Sequence, residues 1–297
     1  MIELIAEIGS NFDGDLDTAK RHVAAAKKAG AQAVKFQTLT RETLMARFVE
    51  DPNTGALIAN PKFEGFANLA LPEAWHYALK RTADEEGVEF LSTPFFLEAV
   101  DLLEDVGVQR YKLASGDLTF RPLQEKVAAT GKPVLMSTGA SYLSEVHDAL
   151  AVLDGAGAGA VTVLHCTASY PPAFKELNLN ALSTLKRETG RDVGLSDHSP
   201  GWTAPVAAAA LGAVVVEKHV TFDRALPGPD HPFALTYEEL AQTASALAEV
   251  AEALGSAEKA PAASEAPRRA RLRRGIYDVE TGQPARSGIW LRPEHSG

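Results

Sequence analysis

Short apolar runs rich in Val, Ile and Leu recur along the chain, each giving way to a turn and then to a longer stretch whose apolar positions fall at helical spacing. This alternation predicts strands at residues 4–9, 33–38, 89–95, 110–115, 133–139, 161–167, 192–198 and 213–219. Helices are predicted between them, among others over 15–30, 71–87, 203–212 and 236–255, most of them ending at a glycine just past the last turn. Runs such as "AVVVEKH" are apolar at consecutive positions, as expected of parallel strands covered on both faces. Eight strand–helix units within about 255 residues match an α/β fold of the (β/α)8 TIM-barrel type with a short C-terminal extension. A doubly wound open sheet is the alternative arrangement of the same units.

Two segments break the rhythm. Residues 39–70 separate the second strand from its helix and are expected to form a flap over the strand ends. Beyond residue 255 the composition turns to Ala, Pro and Arg, which divides the chain into a barrel over 1–255, a linker over 256–274 and a short tail over 275–297. "RRARLRR", within that linker, reads as solvated chain.

Several predicted strands end in polar residues, and in a barrel the C-terminal strand ends build the site. Glu7 closes the first strand, Lys35 and Gln37 lie on the second, and Lys112 on the fourth precedes Ser115 and Asp117. Ser137 ends the fifth, His165 and Cys166 the sixth, Ser196 and His198 the seventh, and Glu217, Lys218 and His219 the eighth. His198 and His219 close consecutive strands, which lie about 4.8 Å apart, so both imidazoles can reach one metal at about 2.1 Å. Two imidazoles with oxygen ligands leave open positions and suit a catalytic divalent ion, with His165 as a further candidate ligand or hydrogen-bond partner to one. Glu217 shares the face of His219 and is expected to orient a ligand. Lysines in apolar strands need counter-charge. For Lys35 and Lys112 that is either Glu7 or Asp117, or an anionic substrate assisted by the hydroxyls of Ser115, Ser137 and Ser196.

The totals narrow the partners. The 297 residues carry a net charge of −10, which argues against nucleic acid. No run approaches the roughly 20 apolar residues of a membrane span, and "MIELIAEIGS" lacks the features of a signal peptide, so a cytoplasmic location is expected. The single cysteine, Cys166, excludes an intramolecular disulfide.

With these residues assembled, the chain resembles the sialic acid synthase family, the phosphoenolpyruvate-dependent enzymes that make N-acetylneuraminate, legionaminate and pseudaminate. The motifs, from residue 3 to about 254, are "AEIGSNFDGD", "AVKFQT", "STPF", "YKLASGD", "STG", "LHCTASYP", "GLSDHSPG" and "ALGAVVVEKHVTFDRALPGPDHPF". The resemblance implies a metal-assisted condensation of phosphoenolpyruvate with the aldehyde of an N-acylated amino sugar, giving a 2-keto-3-deoxy sugar acid and phosphate. It implies Mn2+, or Mg2+ or Co2+, at His198 and His219. Phosphoenolpyruvate would sit on Lys35, Lys112, Ser115, Ser137 and Ser196, with Glu7 near the reacting atoms and Gln37 beside them. Asp117, Tyr170 and Asp230 would face the sugar, in a homodimer. Phe12, Ala168 and Ala234 depart from the family's usual His, Asn and Ser, and these differences touch the sugar side. Residues 275–297 resemble the beginning of the family's antifreeze-like domain. Two other readings of the residues are an aldolase with a Schiff-base lysine at Lys35, Lys112 or Lys218, and a sugar-acid binding protein without catalysis.

Overall fold

The computed structural model describes residues 2–66 and 69–293. Residues 67 and 68 of the predicted flap and 294–297 of the predicted tail lie outside the described residues. The barrel strands are β1 Glu3–Gly9, β2 Ala33–Thr38, β3 Glu89–Pro94, β4 Tyr111–Leu113, β5 Val134–Ser137, β6 Val161–Cys166, β7 Val193–Asp197 and β8 Val215–Thr221. All pair in parallel in the order β3-β2-β1-β8-β7-β6-β5-β4, and β3 and β4 lie side by side at the seam. Among the described residues this is an eight-stranded, nearly closed TIM-type barrel, not an open doubly wound sheet. No described helix is long and apolar enough to cross a membrane.

The helices that follow the strands are α1 Leu16–Lys28, α2 Glu73–Glu86, α3 Leu97–Val106, α4 Arg121–Ala128, α5 Leu143–Gly155, α6 Ala181–Thr189, α7 Thr203–Ala210 and α8 Tyr237–Leu254. In α1 the Asp15 carboxylate accepts from the Thr18 N–H at 2.7 Å, a cap worth about 1 kcal/mol. Lys27 and Lys28 meet the negative end of the same helix dipole. Its buried Ala19, His22, Val23 and Ala26 recur every three or four residues, so one stripe of the helix packs on the sheet.

The strand boundaries differ from expectation chiefly at three places, the first being β5, which stops at Ser137 and not at residue 139. β4 is only three residues long, because Ser115–Asp117 turn at once into a 3-10 helix. β8 runs on to Thr221, where the short strand Leu235–Thr236 pairs with its end. Residues 39–70 contain a helical turn at Arg41–Leu44 and an antiparallel hairpin of Phe48–Glu50 with Leu57–Ala59.

Alternate side chains of each strand enter the barrel. Ile5, Ala33, Leu91, Leu135, Leu164 and Val215 form a separate buried apolar cluster inside it. Their outward neighbours, such as Leu4, Ala6, Val34, Phe36 and Phe90, belong to the larger core beneath the helices. Phe12 is in that outer core, with its ring against Phe36 and Trp75 at centroid distances of 6.4 and 6.1 Å. The apolar floor is closed at β7 by Gly194, which lies beside Leu164 and Val215 in the ladder.

Residues 255–293 belong to a second compact unit. It contains a helical turn at Arg269–Leu272 and an antiparallel pair, Gly275–Tyr277 with Ile289–Leu291. None of its described residues is buried, in keeping with its sparse apolar content.

A Cβ on Gly194 would lie 2.4 Å from Val215 Cγ1 and 2.6 Å from the Val215 carbonyl oxygen. Gly194→Ala is therefore expected to lower unfolding stability by about 1–3 kcal/mol, read as a reduced urea midpoint. An unchanged midpoint would mean that the floor is loosely packed.

Candidate active site

One two-residue step above the apolar floor, the strands present Glu7, Lys35, Thr93, Lys112, Ser137, Cys166, Ser196 and Glu217. One further step brings Gln37, His198 and His219. Residues on neighbouring strands fall in register, as Glu7 does with Lys35 and His219, and Glu217 with Ser196. The site is thus the same alternation that builds the floor, continued with ionisable side chains.

Lys35 and Glu217 form the centre. Lys35 Nζ lies 3.0 Å from Glu217 Oε2 and 3.4 Å from Glu7 Oε2, and 3.3 Å from the Thr93 hydroxyl. Lys112 Nζ donates to Ser137 Oγ at 2.7 Å and to the Leu113 carbonyl at 3.2 Å, and its nearest carboxylate oxygen, on Glu217, is 3.8 Å away. Ser196 donates to Glu217 Oε1 at 2.9 Å, and Gln37 donates to Glu7 Oε1 at 2.8 Å. Gly9 allows the last contact. At φ 57° it turns the chain where a Cβ would come within 3.2 Å of Glu7 Oε1 and 3.3 Å of Gln37 Nε2.

The two glutamates are driven apart. Burial raises the Glu7 carboxyl well above the usual carboxylate range despite Lys35. Burial also opposes the charge on Glu217, but Lys112 and Lys35 together hold it below the ordinary value. Lys112 itself is lowered to about 8, by burial and against the pull of Glu217. Asp117 and Asp230 are each pushed up to about 6 by burial.

At the top of the barrel the His198 and His219 ring centroids are 5.2 Å apart. Burial brings His198 down to about 4 and His219 well below its ordinary value, so both rings are neutral at pH 7 with a lone pair each. His219 Nδ1 is buried without a hydrogen-bond partner, 3.7 Å from Asp230 Oδ2. Two neutral imidazoles beside carboxylate oxygen fit a divalent cation with open positions. No three His, Cys, Asp or Glu side chains among the described residues form a ready-made metal cluster. Phe233 packs against both rings and against Tyr170, which meets His198 edge-on at 4.4 Å.

The structure brings together Glu7, Lys35, Gln37, Lys112, Ser137, Ser196, His198 and His219. Ser115 accepts from the Gly139 N–H at 2.9 Å beside them. Asp117 follows on the 3-10 turn, with a buried Oδ2 that has no hydrogen-bond partner. Three expectations are corrected. His165 is not a third ligand: β6 turns Leu164 and Cys166 inward, and His165 bonds the Leu177 carbonyl at 2.6 Å. Glu217 does not orient a histidine, because Lys35, Lys112 and Ser196 engage its carboxylate. Lys218, an alternative Schiff-base lysine, is buried and paired with Asp197 at 2.9 Å, on the opposite face of β8 from Glu217 and His219. Thr93, any role for Cys166 beyond its place at a strand end, and Phe233 were not anticipated. Period-two alternation along β3 and β6 marks the first two, whereas Phe233 arrives from a loop with no periodic signal.

A TIM-type barrel with acid, base and cation groups at the C-terminal strand ends is an enzyme's architecture. The model of the NeuB family matches residues 22–259. The N,N'-diacetyllegionaminic acid synthase of Legionella pneumophila is 39% identical over 92% of this chain and 79% of its own length. The N-acetylneuraminate-9-phosphate synthase of Homo sapiens is 33% identical over 86% and 72%. Among solved structures, the N-acetylneuraminic acid (sialic acid) synthetase of Leptospira borgpetersenii, in complex with citrate, superposes with a TM-score of 0.82 at 32% identity, covering 90% of each chain. The chain belongs to the NeuB family.

Lys112 must be protonated to hold an anion. The affinity for phosphoenolpyruvate, measured by calorimetry, is therefore expected to fall as the pH rises through about 8. An affinity that stays level from pH 7 to 10 would remove Lys112 from the anion site.

Proposed function

We propose that this enzyme condenses phosphoenolpyruvate with the aldehyde of an N-acylated amino sugar, with the help of a divalent metal, giving a 2-keto-3-deoxy sugar acid and phosphate. The observation that carries the reading is Lys112. Its side chain is 3% exposed, and hydroxyl and carbonyl oxygens take its hydrogen bonds while the nearest carboxylate oxygen stands 3.8 Å off. A buried cation so short of counter-charge fits an anionic substrate. The synthases among its relatives support the same chemistry.

In this reading Lys112, Lys35, Ser115, Ser137 and Ser196 bind the phosphate and carboxylate of phosphoenolpyruvate. Asp117, Tyr170 and Asp230 accept from and donate to the sugar's hydroxyls. C3 of phosphoenolpyruvate bonds to the aldehyde carbon, water adds at C2, and the C2–O bond to phosphate breaks. Glu7, raised to about 7 by burial against the pull of Lys35, in its protonated form gives its proton to the developing alkoxide and regains one from the water that adds at C2. His198 and His219, with Asp230 beside them, would hold Mn2+, Mg2+ or Co2+. Such an ion supplies Lewis-acid polarisation of the aldehyde. The enzyme would act in the cytoplasm as a homodimer, with 256–274 as a linker and 275–297 as the start of an antifreeze-like domain.

The test is phosphate release from phosphoenolpyruvate with a panel of N-acylated amino sugars. Release is expected to need both a sugar and Mn2+ and to stop with chelator. Lys112→Ala is expected to raise the KM for phosphoenolpyruvate about 10- to 100-fold, the loss of one charge-assisted bond of about 1.5–3 kcal/mol, with the sugar KM little changed. His198→Ala should abolish metal-dependent turnover without unfolding the protein. Because a buried lysine of lowered basicity is also a Schiff-base nucleophile, borohydride is added with each sugar. A lysine adduct would replace the synthase reading with an aldolase.

A further inference from the structure

Behind the two imidazoles, on the outer face of the barrel wall, lies a buried ion pair that the mechanism above leaves unused. Lys218 and Asp197 stand opposite each other in the β7–β8 ladder, 2.9 Å apart, with both side chains buried. The next residue along the chain is in each case an imidazole, His219 after Lys218 and His198 after Asp197. The same two strands are thus joined twice, by Ser196 and Glu217 within the barrel and by Lys218 and Asp197 outside it.

His219 is held by its own strand, since it stands opposite Glu7 in the β1–β8 ladder. His198 has no such support. β7 ends at Asp197, and its ladders stop at Ser196 toward β6 and at Asp197 toward β8. Among the described residues neither His198 nor the following Ser199 makes a backbone–backbone hydrogen bond. Side chains take over. One oxygen of Asp197 accepts from the Ser199 N–H at 2.9 Å, and the other accepts from the Ser199 hydroxyl at 3.1 Å and from the Lys218 ammonium at 2.9 Å. The same ammonium donates to the Ser199 carbonyl. Both backbone groups of Ser199 are therefore bound, and His198 lies between the two residues that this clamp grips. The directions are fixed by chemistry, because an ammonium and an amide N–H only donate while a carboxylate and a carbonyl only accept.

A buried pair of this kind adds little net stability. The desolvation of two charges largely offsets their attraction, and apolar residues of similar size are often as stable or more so in their place. What apolar residues cannot do is hold the Ser199 N–H and carbonyl. We propose that Lys218 and Asp197 are positioning residues for His198: through Ser199 they fix the turn that carries its imidazole, and because Lys218 is adjacent to His219 they fix that turn against the second imidazole, at the observed centroid distance of 5.2 Å. The use of this spacing for a cation rests on the proposed metal site, whereas the placing of His198 does not.

The experiment uses the full chain, free of metal and labelled with 15N-histidine, with His198 assigned by its loss in His198→Ala. Replacing Lys218 alone would strand a buried carboxylate, so the decisive variant removes both charges, Lys218→Met with Asp197→Leu. It is expected to keep a urea midpoint no lower than that of the wild type. Its His198 ring signals should shift or broaden while those of His76 on α2 and His165 on β6 stay in place, and Mn2+ binding, read by electron paramagnetic resonance, should weaken about 10-fold or more. Ser199→Ala keeps both backbone contacts and should retain the wild-type signals and affinity. If the first double variant does not fold, Lys218→Met with Asp197→Asn, closer to the wild type in volume, is read in the same way. Unchanged His198 signals in a folded double variant, or Mn2+ held as tightly as by a wild type that binds it, overturns the proposal. Shifted His198 signals in a protein whose wild type binds no Mn2+ support the positioning role and defeat the metal reading alone.

Discussion

The Lys35–Glu217 ion pair is the contact on which the interior is organised. Both groups lie inside the barrel with under a twentieth of their surface exposed, and neither could be buried alone without a cost of several kcal/mol. Each gains from further partners: Glu7 and Thr93 for the lysine, Lys112 and Ser196 for the glutamate. These partners come from β1, β3, β4 and β7, so satisfying one charge pair ties together strands on both sides of the barrel. A slip of one residue in any of these strands would turn its contribution outward and leave a buried charge uncompensated.

The same network separates two chemically identical side chains into different roles. Glu217 sits between two ammonium groups and keeps its charge, whereas Glu7, deeper in the shadow of burial and sharing only Lys35 closely, retains its proton more readily. Pairs of carboxyl groups whose surroundings push them apart supply an acid and a fixed charge from one residue type. Lys112 completes the pattern as a cation held mainly by neutral oxygens. The vertical order of the site follows from the period of the strands. An apolar floor excludes water below, ionisable groups lie one step higher, and the two imidazoles stand one step higher still.

Residues of the motifs that carry the family resemblance lie at different depths. Phe12 has no place in this interior at all, because it is directed into the packing between β2 and α2 against Phe36 and Trp75. Asp230 and Phe233, in contrast, come from the loop after β8 and close over the imidazoles, where sugar recognition is expected.

Much of the architecture could be read from the chain itself. The consecutive apolar runs of the strands, the helical stripes between them and the count of eight units specified the barrel, and rising polarity at the strand ends marked where its site would be. Glu7, Lys35, Lys112, Ser137, Ser196, His198 and His219 followed from that rule, because inward direction is a property of local period. Which groups meet across the barrel is not local. That Glu217 answers Lys35 rather than a histidine, that Lys112 meets no close carboxylate, and that Phe233 returns to cover the imidazoles were decided by strand register and barrel closure. The reason is physical: a sequence fixes the face on which each side chain stands, but the partner of a buried charge or thiol is set by which distant strands the closed ladder places within a hydrogen bond's reach.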